Sequence, residues 1–199
     1  PPPNYSSYLW SNGGTTNIIV PATTGYYAVT VTNASGCTAT IGTNFFLYSR
    51  PSINIMGNDT ICQGATSTLN AGAGAGYSYI WSTGATTQTI SVAFPNTYTV
   101  TVTDIHGCKD TSDILFVVNP LPNVVITGDT VTCANQPIVL SAGSTYQQYL
   151  WNNGTTDSTI TPNVSGIYVV TVTDGNGCTK SDQASVTVNP IPVPTVSSI

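Results

Sequence analysis

Five cysteines are the residues of this 199-residue chain whose type and spacing indicate chemistry. The step from Cys62 to Cys108 is almost the same as the step from Cys133 to Cys178. We expect disulfides between Cys62 and Cys108 and between Cys133 and Cys178, each contributing about 4 kcal/mol by closing a loop of the unfolded chain. A metal site is the alternative, but the chain has no Cys-x-x-Cys motif and no histidine at ligand spacing. Cys37 is left unpaired within this segment.

The cysteines belong to a pattern that occurs three times. Trp10, Trp81 and Trp151 follow one another at two almost equal steps. Each tryptophan is followed at one fixed spacing by a tyrosine and at a second fixed spacing by a cysteine, the tyrosines being Tyr27, Tyr98 and Tyr168. A fixed period of this kind marks a tandem repeat. Similar units in series supply length, spacing or multivalency more readily than one catalytic pocket.

The period predicts how the chain is divided. Residues 1–50 form a partial repeat that lacks its first strands, 51–120 and 121–190 form complete repeats, and 191–199 form the first strand of a following repeat. We call the first three segments the first, second and third repeat. About seven short alternating strands per complete repeat, separated by turn residues, predict an all-β fold of tandem Ig-like antiparallel β-sandwich domains of about 70 residues.

The incomplete first repeat needs something to cover its sheet and to pair with Cys37. We expect residues of a longer continuous chain to do so, and strands from another copy are the alternative. Disulfides in units this small are typical of oxidising, extracytoplasmic surroundings, because a thin core needs a covalent staple.

Composition argues against several classes of function. Charged residues make up 6% of the chain, glutamate is absent, and the net charge is −5. A nucleic-acid partner is not expected without a basic patch, and no apolar run reaches the length of a membrane span. His106 corresponds to Ser35 and Asn176 in the other repeats, so we interpret it as a turn residue. We therefore expect no enzyme activity in this segment, no catalytic residue, no cofactor and no metal.

The repeated motifs resemble a known family. The pattern is carried by Cys62-Gln63-Gly64, by the segment 79–87 (YIWSTGATT), by 98–108, and by Asn119-Pro120-Leu121-Pro122. It resembles the Ig-like or PKD-like repeats of large secreted surface proteins of Bacteroidetes, including adhesins of the gliding-motility type. The third repeat departs from the pattern with Asn152 in place of serine. The resemblance implies an extracellular, cell-surface protein exported by type IX secretion.

Other candidate sites have structural and functional interpretations. The tryptophans could stack on sugars, but a tryptophan at one place in each repeat favours the core of a sandwich, together with the tyrosines. Asp104, Asp174 and Asn33 could bind calcium, although hairpin turns favour these residues for backbone reasons. Asp-Thr and Asp-Ser pairs resemble Bacteroidetes O-glycosylation acceptors, which would place glycans on Thr60, Thr130 and Ser158.

The function predicted from the sequence is structural. We expect a segment of an extracellular repetitive stalk, adhesin or fibre whose partners are neighbouring repeats of the same protein, or copies of itself in a fibre. A module that binds glycans or a surface is one alternative, and an accessory stalk of a secreted enzyme is another.

Overall fold

The computed structural model describes residue 2 and residues 4–195, and the regular structure of this part of the chain is all β. Over the same residues there is no helix long and apolar enough to cross a membrane. Fifteen strands lie in the described part of the chain, and the strands of the second repeat recur in the same order in the third. The predicted first strand at 191–199 is not seen in 191–195, which have no assigned strand, and 196–199 lie outside the described residues.

The first repeat forms one antiparallel sheet in the order β1-β2-β3. Its strands are β1 (Ser7–Trp10), β2 (Gly25–Thr32) and β3 (Thr38–Phe45). β2 alternates polar and apolar residues, so Val29 and Val31 share the buried face of the sheet. Ile41 pairs with Val29 yet is 73% exposed, so this face is only partly covered.

The second repeat forms two sheets. The larger has the order β4-β9-β8-β6 and the smaller pairs β5 with β7. The strands are β4 (Thr60–Cys62), β5 (Ser67–Asn70), β6 (Ser78–Trp81), β7 (Thr89–Val92), β8 (Asn96–Thr103) and β9 (Lys109–Asn119).

The third repeat reproduces this arrangement, with sheets β10-β15-β14-β12 and β11-β13. Its strands are β10 (Val131–Cys133), β11 (Leu140–Ser141), β12 (Gln148–Trp151), β13 (Thr159–Ile160), β14 (Gly166–Thr173) and β15 (Thr179–Asn189). Between the sheets lies a core of buried apolar side chains centred on Trp151 and Leu140, with Val170, Val172 and Val186.

One edge of each larger sheet is formed by a short parallel strand. In the segment 52–56 of the second repeat, only Met56 forms a bridge, with Asn70. The short strand β4 runs parallel to the end of β9, with Cys62 opposite Asn119. β10 runs parallel to β15 in the same register, which sets Cys133 opposite Asn189. These two parallel pairs decide where the first cysteine of each complete repeat lies.

The described chain forms two compact units. One contains the described residues of the first repeat and residues 51–53, together with Ala73–Ser78 and Thr101–Thr111. The other contains Asn54–Gly72, Tyr79–Val100 and residues 112–195. The second and third repeats thus share most of one unit. The boundaries at residues 50, 120 and 190 remain a prediction from the sequence period.

Candidate functional site: a disulfide between the second and third repeats

The chain contains a disulfide between Cys62 and Cys178, with Cα atoms 5.6 Å apart and a sequence separation of 116. Cys62 ends β4 in the second repeat, at the end of β9 from which the chain passes through residues 119–122 into the third repeat. Cys178 lies in the hairpin between β14 and β15 of the third repeat. The bond therefore crosses the junction between consecutive repeats.

The predicted pairing within each repeat is wrong. In the third repeat, Cys133 lies opposite Asn189 at the end of β15, whereas Cys178 immediately precedes the first residue of that strand. At about 3.3 Å per residue, the 11 residues of β15 separate the two cysteines by roughly 35 Å. A disulfide requires Cα atoms within about 7 Å.

The same geometry holds in the second repeat. β4 lies beside the end of β9, and Cys108 immediately precedes β9, so Cys62 and Cys108 do not pair. Cys37, Cys108 and Cys133 are free thiols, and Cys37 and Cys133 are exposed. Cys37 has no disulfide partner among the described residues.

The hairpin that carries Cys178 is held by a side chain. Asp174 Oδ1 accepts hydrogen bonds from the amide of Asn176 at 2.9 Å and from the amide of Cys178 at 2.9 Å. The Asp174 amide donates to the Cys178 carbonyl, and Gly177 takes a positive φ of 78° that glycine adopts without a steric penalty. The carboxylate thus closes a tight turn and fixes the cysteine backbone at its end.

The same turn recurs at the other two hairpin cysteines. Asp104 Oδ1 accepts from the Cys108 amide at 2.9 Å, and Asn33 Oδ1 accepts from the Cys37 amide at 2.9 Å. A neutral amide and a carboxylate make the same bond, so the requirement that the three repeats share is an acceptor oxygen. The hydrogen bonds to backbone amides explain why Asn33, Asp104 and Asp174 occur in these turns, and this was the structural interpretation of the calcium candidates. Among the described residues no group of three or more metal-ligating side chains comes together.

The turn after β4 positions Cys62. The amide of Gln63 donates to the Asn119 carbonyl at 2.8 Å, and the amide of Ala65 donates to the Cys62 carbonyl at 3.0 Å. Gly64, at φ 88°, is the residue that reverses the chain.

In the third repeat Asn135 occupies the place of Gly64, with φ 68°. It is the one non-glycine residue with positive φ in the described part of the chain. Asparagine tolerates this conformation better than other side chains. Sequence reasoning missed this role, although an asparagine where the motif has glycine is the signal for it.

Cys108 lies against the end of the first repeat. Its Sγ is 3.9 Å from the carbonyl oxygen of Tyr48, and the ring of Tyr48 stacks on His106 with centroids 3.6 Å apart. Tyr48 occupies the same place in the repeat as Asn119, since the step between them equals the step from Trp10 to Trp81. The hairpin of the second repeat therefore contacts Tyr48 of the first repeat, and the residue equivalent to Tyr48 in the second repeat, Asn119, lies beside Cys62. Sequence analysis treated His106 as a turn residue and gave no sign of this stacking.

The tryptophans of the second and third repeats are buried. Trp81 and Trp151 are 2% and 1% exposed, and the indole N–H of Trp151 donates to the Asp157 carbonyl at 2.9 Å. Trp81 makes the equivalent bond to Thr87, and the half-buried Trp10 makes it to Thr16. The buried rings have no face open to a sugar. The disulfides predicted within the second and third repeats are not formed beside them.

The three tyrosines share one further contact. Each phenol donates a hydrogen bond to the carbonyl four residues earlier, at 3.0 Å for Tyr27, 3.0 Å for Tyr98 and 3.1 Å for Tyr168. Tyr98 is buried, whereas Tyr27 and Tyr168 are half-buried. A tyrosine hydroxyl bonded back to the backbone a few residues upstream is a hallmark of Ig-like sandwiches.

Two of the three glycosylation candidates are exposed. Thr60 and Thr130 present exposed side chains, and Thr60 Oγ1 donates to Asp59 Oδ1 at 3.1 Å. Ser158 is half-buried, and its carbonyl accepts from the amide of Ala142.

Comparison with known proteins supports the fold. No protein-family model matches the chain, and no curated protein is similar to it at a significant level. The eight N-terminal Ig domains of Down Syndrome Cell Adhesion Molecule are 12% identical with a TM-score of 0.50, over 94% of this chain and 33% of that chain. The present chain thus spans a third of the length of that structure.

Two bacterial adhesin structures are also similar. A 1.5-MDa bacterial ice-binding adhesin is 17% identical over 94% of this chain and 88% of that chain, with a TM-score of 0.39. A Ca²⁺-stabilized adhesin of an Antarctic bacterium is 15% identical over 96% and 66%, with a TM-score of 0.42. These two likenesses are too weak to carry an argument. The likeness to the cell adhesion molecule, together with the strands and sheets, shows tandem Ig-like β-sandwiches.

Proposed function

We propose that this chain is a structural segment of an extracellular stalk, adhesin or fibre built from tandem Ig-like repeats. The observation that carries the proposal is the disulfide from Cys62 to Cys178, because it joins two repeats rather than closing one. A bond across a junction limits the bending of the short linker 119–122, whose prolines already restrict the backbone. A series of repeats held in this way suits a spacer better than a set of independent binding modules.

An extracellular location fits the same bond. Disulfides form and persist in oxidising compartments and are rare in the cytosol. Export by the type IX route and a place among Bacteroidetes surface proteins follow from the motif resemblance, and they form part of the proposal. Neighbouring repeats of the same protein are the proposed partners.

Imaging of the native assembly tests the structural role. We expect thin threads with density repeating at the length of one Ig-like domain. Compact particles with no repeating density would contradict the proposal. Binding of the monomeric chain to immobilised glycans would favour the alternative of a glycan-binding module.

Thr60 and Thr130 are the proposed glycan acceptors, because both hydroxyls are exposed and both follow an aspartate at the same place in the repeat. Ser158 is the weakest of the three acceptors, because its side chain is half-buried. The measurement is the intact mass of protein from its natural source. A mass equal to that of the bare polypeptide would remove this part of the proposal.

A further inference from the structure

The cysteines of the three repeats occupy two kinds of place. Cys62 and Cys133 each end a short parallel strand at the end of the last strand of a repeat. Cys37, Cys108 and Cys178 each follow an Asn or Asp turn in a hairpin. The bond that forms joins one cysteine of the first kind to one of the second kind in the next repeat.

We infer that this pairing rule applies at every junction, so that the repeats form a ladder of disulfides. Cys133 is bonded to the hairpin cysteine of whichever repeat is joined through residues 189–192. Cys108 and Cys37 have the place of Cys178, so by the same rule each takes as its partner a cysteine at the place of Cys62, and residues 1–50 contain no cysteine at that place. Each free thiol is thus one of the two cysteines of a disulfide, and its partner is a cysteine at the place of Cys62 or of Cys178 in an adjoining repeat.

Two observations besides the thiols themselves support this inference. Cys133 has the same register and the same turn as Cys62, since the amide of Ala134 donates to the Asn189 carbonyl at 2.8 Å, as Gln63 does to Asn119. Cys108 already contacts Tyr48, the residue equivalent to Asn119, at 3.9 Å. The hairpin cysteine of the second repeat thus lies against the residue whose equivalent, Asn119, is paired with Cys62.

A repeat in the same polypeptide is the partner that the geometry favours. A short linker holds two adjoining repeats at a millimolar effective concentration, which a second molecule reaches only at millimolar protein. Each bond forms when two thiols give up two electrons and two protons to an organic disulfide, such as that of an oxidoreductase or of oxidised glutathione. The sulfur–sulfur bond of the oxidant breaks and leaves two thiols, which take up the protons.

The ladder has a consequence for function, because its loops overlap. The observed bond encloses the segment between Cys62 and Cys178, and Cys133 lies within that segment. The bond from Cys133 therefore starts before the previous loop has ended, so at least one disulfide spans every peptide bond in the interior of the series. A single cut of the backbone by a protease leaves the stalk covalently continuous.

The test extends the chain by one repeat of its own sequence. A second copy of residues 121–190 is joined after residue 190, free thiols are alkylated, and disulfide-linked peptides are mapped without reduction. We expect Cys62 bonded to Cys178 and Cys133 bonded to the hairpin cysteine of the copy, in a monomer. The matched control carries Cys178→Ser in the copy alone, and there Cys133 should be alkylated.

Three states of Cys133 would overturn the inference: alkylated in the extended chain, bonded to Cys178 of its own repeat, or found mainly in linked dimers. Dimers would point to end-to-end joining of separate copies. The Cys62–Cys178 peptide in the same digest reports that the original junction has formed, and its absence would also count against the ladder. Because these results concern pairing alone, they are independent of whether the assembly is a stalk.

Discussion

Cleavage of the backbone after Lys109 distinguishes the observed Cys62–Cys178 pairing from pairing within each repeat. The chain has three basic side chains, and trypsin does not cut after Arg50 because Pro51 follows it. Cleavage after Lys109 and Lys180 gives the fragments 1–109, 110–180 and 181–199. Cys62 is then in the first fragment and Cys178 in the second, so their disulfide should hold these two fragments together.

The expected masses follow from the sequence. The intact chain has a mass of 20.7 kDa, of which fragment 1–109 carries slightly more than half and fragment 110–180 slightly more than a third. After free thiols are blocked and the chain is digested under denaturing conditions, we expect one large species without reductant, with about nine-tenths of the intact mass, beside the small peptide 181–199. Addition of dithiothreitol should replace it with the two fragments. Denaturation removes any effect of strand structure on the accessibility of Lys109.

Two variants serve as controls. Cys178→Ser should give separate fragments even without reductant, and Lys109→Gln should leave residues 1–180 as one chain in both conditions. The result that would refute the observed pairing is separation of wild-type fragments without reductant. Bonds between Cys62 and Cys108 and between Cys133 and Cys178 would give that result, since each would lie within one fragment.

Three further predictions concern stability and are measured by urea unfolding followed through tryptophan fluorescence. Joint replacement of Cys62 and Cys178 by serine should lower the free energy of unfolding by roughly 5 kcal/mol, which is the loop-entropy value for a loop of this length. Cys133→Ser should leave the free energy of unfolding unchanged. Equal effects of the two changes would contradict the assignment of the disulfide. Trp151→Ala should cost about 3–5 kcal/mol because it empties the core of the third repeat, and a loss below about 1 kcal/mol would show that the ring is not packed as described. Asn135→Gly should raise stability by up to about 0.5 kcal/mol by relieving a positive φ, and a clear loss would mean that the asparagine side chain has another role.

Much of the fold was predictable because it depends on local patterns. The alternation of valine and threonine in β8 and β14 sets a buried face and an exposed face whatever the neighbours are. The turn before each hairpin cysteine needs only an acceptor oxygen and a glycine three positions later. The repeated tryptophans and tyrosines indicated the core, and the burial of Trp81 and Trp151 agrees with that interpretation.

The partner of each cysteine depended on tertiary structure. The sequence by itself determined the period, the strands and the two kinds of place where cysteines occur, because these follow from side-chain alternation and turn chemistry over a few residues. The sequence placed Cys62 and Cys108 in one repeat, and the prediction that they form a disulfide rested on their spacing alone. Only the register of β4 beside β9 and of β10 beside β15 puts the two cysteines of a repeat at opposite ends of an 11-residue strand. Only the contact between successive repeats brings Cys178 to Cys62. The strand register and this contact both relate segments that are far apart in the chain, so no local sequence pattern predicts them.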